Sequence, residues 1–189
     1  MRWTRPLSAF LVLAVAGITA VALTGATPAK PSHAQMVKRG QYLMTAMPCI
    51  DCHTPGTFWG APDVTRMYSG SEMGWVGPWG VVYARNLTSD AETGLGKWTE
   101  EQIATAIRTG NRPDGRQLAE VMPWKSFSHL THEDALAMAA YMKTLPPVKH
   151  QVPDPVPPGQ QPTGSLLTFP APSAWDAMNL PKPPGEGGK

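Results

Sequence analysis

The sequence predicts a small all-α domain of three to five helices joined by long irregular loops, with a proline-rich C-terminal extension. Three observations carry this. Short segments of helical period recur, each with its own start and stop signals. The 21 prolines and 18 glycines fall mainly between and after these segments. Both cysteines of the chain sit within a single five-residue turn, Cys49-Ile-Asp-Cys52-His53. At 189 residues the chain suits one domain with appendages. The expected organisation is a leader over residues 1–34, the domain over 35–148 and the extension over 149–189.

Charge excludes some classes of function. The formal net charge is +2, and without residues 1–34 the remaining 13 basic and 14 acidic residues leave −1. That balance suits neither a nucleic-acid binder nor a polybasic membrane protein. At the N-terminus, Arg2 and Arg5 precede an apolar run, Leu7–Leu23, and Ser32-His33-Ala34 before Gln35 fits a small-x-Ala processing site. An uncleaved anchor competes with this signal-peptide reading. No charge falls between Pro6 and Ala29, and a helix of that length reaches about 36 Å at ~1.5 Å per residue, enough for a ~30 Å hydrocarbon core. Gly17, Gly25, Pro28 and Pro31 favour cleavage. Either way the arginines stay inside and the domain is expected in the periplasm, soluble or anchored to the inner membrane by this segment.

The first helix of the domain is expected over Gln35–Met47, where Val37, Gly40, Leu43, Met44 and Met47 share a face and Pro48 stops it. Gly40 costs a helix about 1 kcal/mol relative to alanine, so a second helix crossing closely is one reason for its presence. Cys49–His53 follows as a helical turn. Two thiols three positions apart, with a histidine directly after the second, form the attachment pattern of a c-type haem. Each thiol adds to one porphyrin vinyl group, and the turn sets His53 beneath the iron as proximal ligand. A thioredoxin-like pair or half a zinc site are the competing readings, but zinc needs further cysteines or a spaced His pair. Thioether formation requires export and reduced thiols, which again points to a bacterial-type periplasm. Pro55 stands where its carbonyl could steady the proximal imidazole.

From Thr57 to Asp90 no period is sustained. Val81–Tyr83 suits a strand or a loop packed on the haem edge. Trp59, Trp75 and Trp79 are expected to cover porphyrin or core, with an exposed docking surface as the alternative. Thr99-Glu-Glu-Gln102 is a capping box that opens a helix through Ile103, Ala106 and Ile107 to Gly110. The turn Asn111–Gly115 follows, and Arg108, Arg112 and Arg116 form a basic cluster for haem propionates, an acidic partner or solvent. Met122, on an irregular segment stiffened by Pro123, is the leading candidate for the distal iron ligand, with Met73, His129 and His132 as alternatives and Met67 a minor one. Met44, Met138 and Met142 lie on helix faces and read as core. Thr131 caps a last helix that runs to Leu145 and ends at Pro146-Pro147, with Tyr141 placed to pack over Gly40. Twelve of the 21 prolines lie in the extension from Pro146. A mobile or polyproline-like tail is expected there, although Leu166, Leu167, Phe169 and Trp175 would suit a segment strapped over the domain.

With these residues in place the chain resembles the class I cytochromes c. Asn86–Trp98, Arg108–Gly115, Met122-Pro-Trp124 and Leu130–Asp134 resemble the haem domains of cytochrome subunits of periplasmic alcohol, aldehyde and gluconate-type dehydrogenases. The resemblance covers residues 35 to 148. It implies that Met122 is the distal ligand and that the Asn86–Trp98 loop lies along the haem edge. Those subunits usually carry three such domains, whereas this sequence has one Cys-x-x-Cys-His. The expected function is therefore that of a monohaem electron carrier with no catalytic residue. A dehydrogenase or quinol-oxidising complex would stand on one side of it and a terminal oxidase or other acceptor on the other. Two alternatives remain: an anchored electron-transfer subunit of a larger respiratory or dehydrogenase complex, and a haem enzyme or sensor with an open distal site.

Overall fold

The structure, a computed structural model, describes residues 29–168. Most of the expected leader, and the end of the extension with Phe169 and Trp175, lie outside the described residues. All the described elements belong to the unit that begins at Pro31.

Helix α1 spans His33–Ala46. Its start is a capping box: the Ser32 hydroxyl accepts from the Gln35 amide, and the Gln35 side chain accepts from the Ser32 amide at 2.8 Å. The helix thus begins two residues before the expected Gln35, and Ser32-His33-Ala34, read above as a processing junction, forms its cap and first turn. Helix α2 is Cys49–His53. Helix α3, Glu100–Thr109, opens on the Thr99–Gln102 capping box and closes on Gly110 at φ 74°. A single turn, α4, covers Trp124–Phe127, and α5 runs His132–Thr144 from its Thr131 cap.

Helices α1 and α5 cross where Gly40 meets Ala137. A Cβ on Gly40 would lie 1.9 Å from the Ala137 carbonyl oxygen and 2.9 Å from Tyr141 Cβ. The expected Tyr141 contact is present, but the α5 backbone is the closer neighbour. The alanines at 135, 137, 139 and 140 are all buried, which lets the two helices approach at backbone distance. Leu43, Met44, Ile103, Ile107, Met138, Met142 and Leu145 fill the space between α1, α3 and α5, each large side chain contributing roughly 1.5–3 kcal/mol by leaving water. The three core methionines are where the sequence placed them. Arg39 on α1 pairs with Asp134 on α5 at 2.8 Å and fixes the same crossing from its rim.

The expectation of an all-α fold needs correction, because a small sheet accompanies the helices. Strands β1 (Gly74–Gly77) and β2 (Gly80–Tyr83) form an antiparallel hairpin, and β3 (Leu166–Leu167) pairs parallel to β1 at Gly74 and Trp75. The order is β2-β1-β3. Nor is the described part of the extension a free tail. Val156 exchanges two 2.8 Å backbone hydrogen bonds with Val81, and Val152 is buried with Val81 and Tyr83 in a second, smaller core. Proline disfavours regular internal hydrogen bonding along this backbone. Its remaining amides and carbonyls are then free to pair with the hairpin edge.

Between the hairpin and α3, the Asn86–Trp98 loop is built around one buried amide. Asn86 Nδ2 donates to Thr93 Oγ1 (2.9 Å) and to the Val148 carbonyl (2.7 Å), and its Oδ1 accepts from Thr88 N (2.9 Å) and Thr88 Oγ1 (2.7 Å). Lys143 of α5 closes the far end of the loop by donating to the Leu95, Gly96 and Trp98 carbonyls at 3.3, 2.7 and 3.0 Å.

Three outcomes are expected. Gly40→Ala should destabilise the protein by about 3 kcal/mol, since the clash is with backbone rather than a flexible side chain, and urea denaturation measures it. Asn86→Ala should cost at least about 1–3 kcal/mol, because it strands buried partners. The Asp134 carboxyl is held below its ordinary 3.8 mainly by the Arg39 hydrogen bond. Its contribution to stability is therefore present above pH 3.8 and lost as pH falls through the lower folded-state value. Asp134→Asn should flatten that part of the acid-denaturation profile.

Candidate functional site

Helix α2 places Cys49 and Cys52 three residues apart on one face, with His53 at its end. Both sulfurs are half-buried, and neither is in a disulfide. Burial pushes the Cys49 thiol up to about 11 and raises that of Cys52 as well. Among the described residues no group of three or more His, Cys, Asp or Glu side chains is arranged to hold a metal ion.

His53 is buried, and its Nδ1 lies 2.7 Å from the Arg85 carbonyl oxygen. A carbonyl only accepts, so Nδ1 carries the proton and Nε2 keeps its lone pair. Burial lowers the His53 pKa, opposed by that hydrogen bond. The neutral imidazole thus favoured is the form that ligates a metal. The carbonyl that steadies the ring belongs to Arg85, not to Pro55 as expected. Pro55 O instead accepts from Asp63 N at 2.9 Å. Arg85 is 32 positions away in sequence, and nothing in the local pattern marks it.

The backbone around His53 is held as firmly as its ring. The His53 carbonyl accepts from Gly70 N at 2.8 Å, and the Thr54 hydroxyl accepts from Tyr68 N at 3.1 Å. Tyr68 takes φ 62°, which a residue with a Cβ adopts at a cost of about 1–2 kcal/mol. Leu87 N donates to its carbonyl, and its ring stacks edge-on against Tyr141.

Met122 is half-buried in the bend before α4. The segment is closed at both ends: Leu118 N donates to Gly110 O at 2.7 Å, and the Trp124 indole donates to Leu118 O at 3.2 Å. The Trp124 ring lies against Gly110, where a Cβ would come within 2.8 Å of it. Of the alternatives, Met73 is buried and Met67 is 40% exposed. His129 is exposed, and so is His132, which faces Glu101 across 3.4 Å.

The arginines read as one cluster now have separate surroundings. Arg112 and Arg116 share Asp114 at 3.2 and 2.8 Å and hold its carboxyl far below the usual range. Arg112 also lies over the Trp98 ring at 5.1 Å. Arg85, near both, has its pKa lowered by burial despite Asp154 at 3.4 Å. Arg108 Nε is buried without a hydrogen-bond partner among the described residues. Trp59 is 56% exposed, so it does not cover the protein core. Trp75 meets Phe58 edge-on at 5.1 Å.

A c-type haem needs two thiols on one turn and a neutral imidazole with a free Nε2. Its propionates suit nearby cationic groups in need of anions. Cys49, Cys52 and His53 fit the first of those needs, and Arg108 Nε is a buried cationic group without a hydrogen-bond partner among the described residues.

Comparison with known proteins agrees. A family model for cytochrome c matches residues 37–146. The chain is 37% identical over 165 residues to the fructose dehydrogenase cytochrome subunit of Gluconobacter japonicus, covering 82% of this chain and 32% of that one. It is 35% identical over 139 residues to the alcohol dehydrogenase (quinone) cytochrome c subunit of Gluconobacter oxydans, covering 73% and 27%. It is 33% identical over 106 residues to the gluconate 2-dehydrogenase cytochrome c subunit of Pantoea cypripedii, covering 56% and 22%. The chain thus spans about a third or less of the length of these curated relatives. With a family match over most of the domain, and with the thiol pair and oriented imidazole in place, the chain belongs to the cytochrome c family.

Proposed function

We propose that the chain is an electron-transfer component of a periplasmic dehydrogenase complex, carrying one covalently attached haem and performing no substrate chemistry itself. The observation that carries this is the Cys49–His53 turn with the His53 Nδ1 proton fixed on Arg85 O. That bond sets the tautomer, directs Nε2 away from the carbonyl and makes the imidazole a stronger donor. Cys49 and Cys52 are the thioether sites, and His53 and Met122 are the axial iron ligands. Haem bound there supplies one-electron exchange, and a His/Met pair both raises its potential and leaves no open position for substrate.

The surroundings of Met122 support this role. Its segment is pinned between Gly110 and Trp124, so the thioether is presented by a stiff loop rather than sought by a mobile one. Arg108 Nε and the group of Arg85, Arg112 and Arg116 offer positive charge for the propionates. The relatives' names favour a fixed subunit over the freely diffusing shuttle expected first. Fructose, alcohol and gluconate dehydrogenases are the systems those relatives serve, so a sugar, alcohol or sugar-acid dehydrogenase is the proposed reductant. A quinone or terminal oxidase pathway is the proposed acceptor. Export to the periplasm follows from the haem-attachment chemistry and the arginine-led N-terminus. Among the described residues no helix is long and apolar enough to cross a membrane, so membrane attachment would rest on the leader or on the complex.

Two measurements test this. Met122→Ala in the haem-loaded protein should abolish the methionine–iron charge-transfer band and allow carbon monoxide to bind the reduced form, which the parent protein should refuse. A parent protein that binds carbon monoxide readily would sink the closed coordination sphere. Native purification should return the chain with a dehydrogenase through size-exclusion chromatography. Elution alone, with full electron exchange in solution, would replace the subunit reading with the shuttle.

A further inference from the structure

The extension does more than cover the hairpin: it clamps the two backbone strips that hold His53. One strip is residues 68–71, in which Gly70 N donates to the His53 carbonyl at 2.8 Å. The other is residues 84–88, in which the Arg85 carbonyl accepts the His53 Nδ1 proton at 2.7 Å. They meet each other through Ser71 N donating to Ala84 O (3.0 Å) and Leu87 N donating to Tyr68 O (2.8 Å). Residues 148–156 then run along both. His150 Nδ1 donates to Ser69 O at 2.8 Å, and its Nε2 lies 2.8 Å from Glu72 Oε1. The Val148 carbonyl accepts from Asn86 Nδ2 at 2.7 Å. Arg85 reaches outward to the same segment, donating to Val152 O at 3.1 Å and approaching Asp154 Oδ1 at 3.4 Å. Beneath this, Val152 is 3% exposed, and its Cγ2 lies 2.5 Å from where a Cβ on Gly70 would stand.

We infer that residues 148–156 are a positioning strap for His53 and that Arg85 is the positioning residue that transmits its hold. The backbone carbonyl of Arg85 orients the imidazole while its side chain is tied to the strap, so the strap limits how far that carbonyl can withdraw. The consequence is electronic as well as mechanical. A firm Nδ1–H···O bond makes the imidazole more electron-rich and favours the oxidised iron, whereas loosening it favours the reduced state. The inference rests on His53 being the axial ligand proposed above.

The test uses two charge-neutral variants in the full-length, haem-loaded protein. Val156→Pro deletes the amide that donates to Val81 O, and Val152→Asn places a polar group in the small core. Strap release is registered independently as faster tryptic cleavage at Lys149. Where it occurs, the His53 Nδ1 proton of the reduced protein should exchange with solvent at least tenfold faster by NMR. The ratio of reduced to oxidised protein at a fixed potential should rise by up to about tenfold, equivalent to 59 mV upward for one electron. A released strap with unchanged proton exchange and an unchanged or lowered potential would overturn the inference. If Val152→Asn fails to mature, Val156→Pro, at a half-buried rim position, carries the same test. Failure of the underlying reading looks different, because the parent protein would then lack a histidine-ligated haem altogether.

Discussion

The hydrogen bond from His53 Nδ1 to the Arg85 carbonyl is the constraint around which the rest of the structure is arranged. One proton shared across 2.7 Å decides the tautomer, the ring orientation and the availability of Nε2. Every surrounding element either presents the donor or secures the acceptor. Helix α2 presents the ring, with Cys49 and Ile50 packed on the main core. Residues 68–71 bind the His53 backbone, and residues 84–88 bind its ring. Because the acceptor is a main-chain carbonyl, its position depends on how firmly that stretch of backbone is held rather than on any one side chain.

That dependence explains the investment in buried polar groups nearby. Asn86, Thr88, Thr54, Ser69 and Ser71 are all buried, and unpaired they would each cost on the order of 1–3 kcal/mol. Here four of them pair with backbone and Ser69 pairs with the His150 ring, and they replace the regular ladders that an irregular region lacks. The helices solve a different problem. They meet through small residues and methionines, with Gly40 against Ala137, so that α1 and α5 form a tight frame from which the loops extend. The frame supplies stability, and the loops supply geometry.

The same division separates the two roles within the chain. The frame is largely apolar and closely packed, whereas the region near His53 is polar and held by hydrogen bonds between segments distant in sequence. An electron-transfer centre benefits from this arrangement, since a fixed ligand geometry limits reorganisation when the charge changes. The strap extends the polar region rather than the frame, which places residues after the last helix among those that set the properties of the site.

Much of this was legible in the sequence. The helices could be read because their signals are local: the Thr99 capping box, the Thr131 cap, the stop at Pro48 and the Gly110 terminus each act within one turn. The thiol pair and His53 were legible for the same reason, and Gly40 announced a crossing because a mid-helix glycine is otherwise unfavourable. What could not be read depends on partners distant in sequence. Arg85 acts through its backbone, which carries no residue-specific signal, so Pro55 was the natural but mistaken choice. Val81–Tyr83 was open to reading as a strand or a loop, because two to four residues make no period, and β1 and β3 carried no signal of their own; β3 exists only where the extension finds the free edge of the hairpin. Composition pointed to a proline-rich segment with few hydrogen bonds of its own. Only the tertiary structure could decide that its outward-facing amides and carbonyls find partners on the domain, because pairing depends on which edge lies alongside in space.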